Sequence, residues 1–171
     1  RPKLDAFLPS QKVTVVYPIP QIKYLFWIDE ESGEITKKRK SPKKAQPYSA
    51  FFELYKINGW LSHPNLRIHL LMLELEEYRY LNGYSEDKKR GSSRCDRIPL
   101  NILSELRLDG ISDYQRMIPD TLETQFTVKD YEKAGGVSRS VAGTALRVLY
   151  GLGAVTRTGK TGNAFLYDRV R

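Results

Sequence analysis

The sequence predicts an α+β protein, with strands in the first half of the chain and helices followed by a β-hairpin at the end. Three observations support this prediction. The N-terminal part contains β-branched and aromatic runs, and residues 66, 68, 70 and 72 are apolar on alternate positions. Helix-capping residues precede two segments of helical periodicity after residue 126. Hydrophobic residues make up 40% and charged residues 28% of the 171 residues, which is typical of a chain that folds around a core.

The N-terminal segment predicts a helix tail followed by two strands. Residues 3–8 indicate the end of a helix, which Pro9 terminates. Residues 13–19 are almost continuously apolar and predict a buried, parallel strand. A second strand is predicted over residues 22–29, and a glycine turn then leads into a hairpin partner at 34–36.

The middle of the chain predicts a short helix and a long strand. Residues 37–48 are basic and contain two prolines, which favours an exposed loop. A short helix is expected over 49–57 and a strand over 66–81, with Glu74, Glu76 and Glu77 at its solvent-exposed end.

Residues 82–97 contain charged and turn-forming residues without periodicity, which predicts a loop at a domain boundary. Pro99 suits the first turn of a helix reaching about Leu106, and Ser112 is expected to cap another helix through Met117. The predicted domains are residues 1–81, a connecting region 82–110, and residues 111–171.

Two closely spaced helices are predicted near the C-terminus. Thr127 and Asp130 resemble a capping box that opens a helix over 128–134. Two glycines follow, and Ser138 can cap a second helix over 139–152. At 100° per residue, one arc of this helix is apolar and predicts the core: Val141, Ala142, Ala145, Leu146, Val148, Leu149 and Leu152.

A strand, a basic glycine-rich tip and another strand follow the second helix, at 154–157, 158–163 and 164–167. A helix-turn-helix followed by such a hairpin resembles the winged-helix family over about residues 111–170. The resemblance implies DNA binding by the polar arc of the second helix and by the hairpin, with a structural or dimerising module as the alternative. The predicted contact residues in this region are Arg139, Ser140, Thr144, Arg147, Arg157 and Lys160.

A run of basic residues provides a second predicted DNA contact. The net charge is +8, and it divides into +5 for residues 1–45, zero for 46–118 and +3 for 119–171. This distribution of charge favours a polyanionic partner. For the basic run itself, a solvated loop is the alternative interpretation. The run contributes Lys37, Lys38, Arg39, Lys40, Lys43 and Lys44.

Three segments resemble an uncharacterised bacterial family: IKYLFWIDEESGEI, RKSPKK and LSHPNLRIHLL. Its members join a restriction-endonuclease-like core of the PD-(D/E)xK type to a C-terminal winged helix. The resemblance implies that this chain is the C-terminal part of such a protein, with a partial nuclease-like sheet. It also implies that the acidic catalytic motif precedes Arg1, so no catalytic residue is assigned to this sequence.

Other chemistry has little support in the sequence. Glu86-x-Lys88 lies in the predicted loop, and His63 and His69 with Cys95 are too few for a structural zinc site. We therefore predict no metal, no cofactor and no catalysis by this chain. The single cysteine favours a reducing, cytoplasmic setting, and the longest apolar run, 68–75, is far shorter than the roughly 20 residues of a membrane span.

The sequence thus predicts a DNA-binding protein that uses a winged helix and a basic loop. Two alternatives remain open at this stage. One is the C-terminal part of a metal-dependent nuclease whose active site lies upstream, and the other is a structural or dimerisation module. The expected partner is DNA, and the sequence also allows a homodimer.

Overall fold

The computed structural model describes residues 2–84, 90–122 and 124–170 of the chain. In this part of the chain, α-helices and β-strands are joined by 3-10 turns at Pro47–Ala50 and Asn58–Trp60. The elements in chain order are α1 Pro2–Phe7, β1 Val13–Ile28, β2 Arg39–Lys40, α2 Phe51–Lys56, β3 Leu66–Tyr84, β4 Arg90–Leu108, α3 Ile111–Gln115, α4 Val128–Gly135, α5 Arg139–Gly151, β5 Val155–Thr161 and β6 Ala164–Arg169.

Four strands form a mixed sheet in the order β2-β1-β3-β4. β1 and β3 run parallel, since the Val13 amide donates to the Asn65 carbonyl and Phe26 stacks on Tyr78, a constant offset of 52 residues (65 − 13 and 78 − 26). β3 and β4 run antiparallel. Residues 82, 77 and 74 of β3 contact residues 93, 97 and 101 of β4, so the position on β4 rises as the position on β3 falls. The α+β class is confirmed.

The chain divides into two compact units. The helical unit contains residues 1–17, 46–70 and 106–171, and the sheet unit contains residues 18–45 and 71–105. This division differs from the predicted domains, because β1, β3 and β4 each contribute residues to both units.

The core of the helical unit forms between its helices and one face of its strands. Leu66, Ile68 and Leu70 of β3 are buried on alternate positions. Tyr131 of α4 is fully buried and donates its hydroxyl to the Met117 carbonyl, which satisfies its polar atom. The predicted apolar arc of α5 is confirmed as core, with all seven of its residues buried: Val141, Ala142, Ala145, Leu146, Val148, Leu149 and Leu152.

The alternation of buried residues in β3 changes at Met72 and Leu73, which are both buried. Even-numbered positions are buried before this point, and Leu75 and Glu77 are buried after it. Since a strand alternates its side chains between two faces, the buried face of β3 switches where the chain enters the sheet unit.

The predicted N-terminal elements are present, with corrections. The helix tail and the long strand β3 are confirmed, and the short helix α2 lies within the predicted range. β1 is one continuous strand instead of two, and Ile19 is the only residue of 13–19 that is buried. The predicted hairpin partner is reduced to a single bridge between Ile28 and Ile35. Part of the predicted basic loop is strand β2, which pairs with Tyr24 and Leu25.

The predicted connecting region is wrong in its described part. Residues 90–108 form strand β4, so the helix expected after Pro99 is absent there. Residues 85–89 of the predicted loop lie outside the described residues. Helix α3 begins after Gly110 instead of Ser112, because the Asp113 carboxylate accepts the Gly110 amide at 3.2 Å. Pairing with β3 therefore outweighs the local signals for loop and helix.

The C-terminal helices and hairpin lie where the sequence predicts them. The capping box of α4 is confirmed, with the Asp130 amide donating to Thr127 Oγ1 at 3.3 Å and the Thr127 amide donating to Asp130 Oδ2 at 2.8 Å. Gly136 ends α4 with φ of 58°, a left-handed conformation that favours glycine. The Ser138 hydroxyl accepts the Val141 amide at the start of α5.

Removing the α4 cap gives a first testable expectation. Thr127→Ala is expected to lower the free energy of unfolding by about 1 kcal/mol, because one amide at the helix start loses its acceptor. Urea denaturation followed by circular dichroism measures this loss. Thr124→Ala is the matched control, since Thr124 is exposed and precedes the cap. Equal stability of both variants would show that the cap is dispensable.

Candidate nucleic-acid interface

A groove of about 550 Å³ lies in the helical unit between the hairpin and the N-terminal ends of α4 and α5. Lys129 and Arg139 supply cations to its wall, and none of the described residues that line it is a carboxylate. The remaining lining residues are Thr127, Val128, Thr161, Asn163, Ala164, Phe165 and Tyr167. The groove therefore combines positive charge, hydroxyl and amide groups, and two aromatic rings.

Arg139 is exposed in the first turn of α5. The N-terminal end of a helix carries a partial positive charge from its unpaired amides, which adds to the charge of the arginine. The Ser138 cap accepts one of these amides, and Ser140 is exposed next to Arg139. This helix end is suited to an anionic group such as a phosphate.

Arg157 is stacked among three aromatic side chains of the helical unit. Its guanidinium carbon lies 4.1 Å from the Phe165 ring centroid, 4.4 Å from that of Tyr150 and 5.6 Å from that of Tyr167. The Lys160 ammonium lies 4.8 Å from the same Phe165 centroid. Within the described residues, neither cation forms an ion pair with a carboxylate. Ring stacking holds both charges in place while leaving their N–H donors available.

This ring cluster follows from the register of the hairpin. Arg157 faces Tyr167 and Lys160 faces Phe165 across β5 and β6. Gly159 lies between the two cations at an irregularity of the register, and Gly162 turns the chain with φ of 56°. Cross-strand pairing thus places aromatic and basic side chains side by side.

The other predicted residues of α5 are engaged within the helical unit. Arg147 is exposed, but its guanidinium donates to the Tyr55 hydroxyl at 3.3 Å and lies 5.5 Å from that ring centroid. Thr144 is half-buried and donates its hydroxyl to the Ser140 carbonyl at 2.9 Å. Of the α5 residues proposed from sequence, Arg139 is therefore the one that lines the groove.

The predicted basic run lies in the sheet unit and is mostly exposed. Lys38 is exposed as well but forms an ion pair, because its ammonium lies 2.9 Å from Glu76 Oε1 and 4.0 Å from the Tyr24 ring centroid. The hydrogen bond to Glu76 raises the pKa of Lys38. Lys40 lies 5.9 Å from the same ring centroid. The remaining cations are exposed and form no ion pair within the described ranges: Lys37, Arg39, Lys43 and Lys44.

Several groove and cluster residues were not predicted from sequence: Lys129, Tyr150, Asn163, Phe165 and Tyr167. Aromatic residues at alternate positions of the last strand, opposite two basic residues, are the signal that could have identified part of the cluster. Lys129 carries no such signal. Among the described residues, no group of three or more histidine, cysteine, aspartate or glutamate side chains could hold a metal ion.

Comparison with known proteins places the chain in a family. A family model described as a domain of unknown function, DUF8091, matches residues 1–109. The chain belongs to the DUF8091 family. The DUF8091 match covers α1 to β4, including the sheet unit, and ends before α3, so the groove lies outside it.

A relative from Treponema pallidum (strain Nichols), described as an uncharacterized protein, is 27% identical over 174 residues. The alignment covers 98% of this DUF8091 chain and 65% of the relative, so the chain spans about two thirds of that protein's length. No solved structure is significantly similar to the chain. The relation to restriction-endonuclease-like proteins stays a prediction. No helix in the described ranges is long and apolar enough to cross a membrane.

Proposed function

We propose that this chain binds duplex DNA, with α3, α4, α5 and the β5–β6 hairpin acting as a winged helix. The observation that carries the proposal is the groove between the helix N-termini and the hairpin. In the part of the chain that the structure describes, its wall holds Lys129 and Arg139 and no carboxylate, and Asn163 and Thr161 add uncharged polar groups. A phosphate backbone is the polyanion that such a surface attracts most strongly.

The stacked cations support the same function. Arg157 and Lys160 are exposed, yet aromatic contacts at 4.1 to 4.8 Å restrict their motion before any ligand arrives. Less conformational entropy is then lost when these side chains contact a phosphate. Because no ion pair with a described carboxylate must be broken first, each contact releases counterions from DNA without a compensating loss.

The roles of the remaining candidates follow from their contacts. Arg147 is stacked on Tyr55 and donates to its hydroxyl. Its role in the proposal is therefore to add positive charge to the helical unit, and no direct contact with DNA is assigned to it. The exposed cations of the basic run act in the proposal as a sequence-independent attraction from the sheet unit. No residue is assigned a sequence-specific contact with a DNA base, and the proposed function is binding without catalysis.

A binding titration with matched arginine variants tests this function. Arg139→Ala is expected to weaken binding to a fluorescein-labelled duplex by about tenfold at low salt, because one phosphate contact at the start of α5 is lost. Fluorescence anisotropy measures the affinity.

Arg116→Ala is the control. Arg116 is an exposed residue of the helical unit outside the groove, 3.9 Å from Asp113, and its removal changes the net charge equally. The control should bind like the wild type. If both variants bind equally well, or equally poorly, the groove is not the binding surface.

A further inference from the structure

Four aromatic side chains of the helical unit are well exposed. Phe52 and Tyr55 of α2 are each 43% exposed, Tyr150 of α5 is 44% exposed, and Phe165 of β6 is 37% exposed. These four rings are called the aromatic strip below. The proposed duplex contact uses Tyr150 and Phe165 only as supports for Arg157, so it leaves the exposed ring surface without a role.

Helix α2 divides its apolar residues between two sides. Phe51 and Leu54, three positions apart, are buried in the core. Phe52 and Tyr55 have the same spacing and are neighbours on the exposed side of the helix. Burial in the core therefore does not account for these two rings.

Contacts with arginines connect the strip from α2 to the hairpin. The Arg147 guanidinium of α5 donates to the Tyr55 hydroxyl at 3.3 Å. Tyr150 follows Arg147 by three residues, which makes them neighbours on the surface of α5. The Arg157 guanidinium carbon then lies 4.4 Å from the Tyr150 centroid and 4.1 Å from that of Phe165. The rings thus form one connected surface, and exposed apolar groups that are connected mark an interaction site.

Cations are interleaved with the rings of the strip. Arg147, Arg157 and Lys160 each lie beside one of them, and none forms an ion pair with a described carboxylate. Glu53 of α2 is already paired with Lys56 at 2.7 Å. Exposed rings combined with positive charge are the features that bind unpaired nucleic-acid bases, because the rings stack on bases while the cations attract phosphates. The charge thus favours a nucleic-acid strand over an apolar protein surface as the occupant.

We infer that the aromatic strip binds unpaired bases of DNA, so that the chain prefers a duplex with a single-stranded segment to a fully paired one. The inference rests on the proposed function, because the strip continues the hairpin surface that is assigned to the duplex. Bases inside a duplex stack on one another, whereas an unpaired strand offers base faces and phosphates together. Every base has an aromatic face, so this contact does not depend on sequence.

Fluorescence anisotropy with forked and blunt DNA tests the strip. The fork is the blunt duplex extended at one end by two unpaired tails of about six thymidines, which offer both strand polarities. The wild-type chain is expected to bind the fork about 30-fold more tightly than the blunt duplex, because several bases stack on the rings. A fork with abasic tails keeps the phosphates without the bases and should lose most of this preference.

A matched pair of phenylalanine variants locates the contact. Phe52→Ala is expected to reduce the preference for the fork about fivefold, because one stacking ring is lost. It should keep the wild-type affinity for the blunt duplex, which also shows that the variant is folded. Phe7→Ala is the control, since Phe7 is 46% exposed on α1 of the same unit and lies outside the strip. This control should keep the full preference.

Three results would overturn the inference: equal wild-type affinity for the fork and the blunt duplex, a preference that abasic tails retain in full, or equal preferences of Phe52→Ala and Phe7→Ala. A wild-type dimer that Phe52→Ala dissociates, measured by sedimentation equilibrium, would assign the strip to a second copy of the chain instead. Saturable binding to the blunt duplex without a preference for the fork refutes this inference alone. Absence of saturable binding to the blunt duplex refutes the proposed function.

Discussion

Glu77→Ala is expected to lower the free energy of unfolding by about 4 kcal/mol at neutral pH, because the variant loses a fully buried carboxylate that binds three cations. Lys23, Arg79 and Arg97 would then face one another without the group that holds them at 2.6 to 3.3 Å. Chemical denaturation of both proteins measures the difference. Loss of cooperative unfolding in the variant would agree with the same account.

Glu76→Ala provides the matched control for this substitution. Glu76 is the preceding residue on β3 and binds Lys38 at 2.9 Å, but this ion pair lies at the surface. A surface pair contributes far less to stability than a buried cluster, so the control should unfold close to the wild type. Equal destabilisation by the two substitutions would contradict the special role of Glu77.

The same carboxylate makes stability depend on pH in a defined direction. The pKa of Glu77 is about 2 in the folded chain and near its ordinary value when unfolded, so the unfolded state binds the proton more readily. Its stabilisation, about 3 kcal/mol, is complete above pH 5 and is lost as the pH falls toward 2. Glu77→Gln should remove this part of the dependence, so that wild-type and variant stabilities converge in acid.

The second large effect is expected at the groove and at the adjoining ring cluster, which share Phe165 and Tyr167. Replacing Arg139, Arg157 and Lys160 together with alanine should weaken duplex binding by about 100- to 1000-fold at low salt, since three phosphate contacts are lost. A control that replaces Lys3, Lys12 and Arg116 changes the net charge equally but alters exposed positions outside both the groove and the ring cluster. Anisotropy titrations of the two triple variants separate a local site from overall charge. An equal loss of affinity in both triple variants would show that the effect comes from overall charge and not from this surface.

Local signals were sufficient to predict the C-terminal elements. The α4 cap requires Thr127 and Asp130, which lie three residues apart, and the turn after α4 requires glycine at residue 136. The core arc of α5 depends on helical periodicity within one segment. Each of these features is encoded within a few residues, so the sequence alone identifies them.

Strand β4 could not be predicted in the same way. Residues 98–106 contain Pro99 followed by apolar and polar residues, which suits the start of a helix locally. Pairing with β3 overrides this preference. The Asn101 side-chain amide also donates to Glu74 of β3 at 2.8 Å. β4 lies at the edge of the sheet, the place where strands tolerate proline because one of their sides has no partner strand.

Prolines also explain why β1 appeared to be two strands. Pro18 and Pro20 interrupt the apolar pattern, yet β2 pairs with β1 only at Tyr24 and Leu25. Within the described residues, the side of β1 facing β2 is therefore unpaired at the prolines, where a strand tolerates them.

The burial of Glu77 could not be predicted from the alternation in the first part of β3. The buried face of that strand switches at Met72 and Leu73, so odd-numbered positions such as 75 and 77 are buried after this point.

The salt dependence of duplex binding tests the proposed function most directly. With at least three phosphate contacts, the logarithm of the association constant should fall with the logarithm of salt concentration with a slope of about −2.7 or steeper. The triple variant of Arg139, Arg157 and Lys160 should have a slope shallower by about 2.7, and the control triple variant should keep the wild-type slope. Absence of saturable duplex binding by the wild type, or one common slope for all three proteins, would contradict the account.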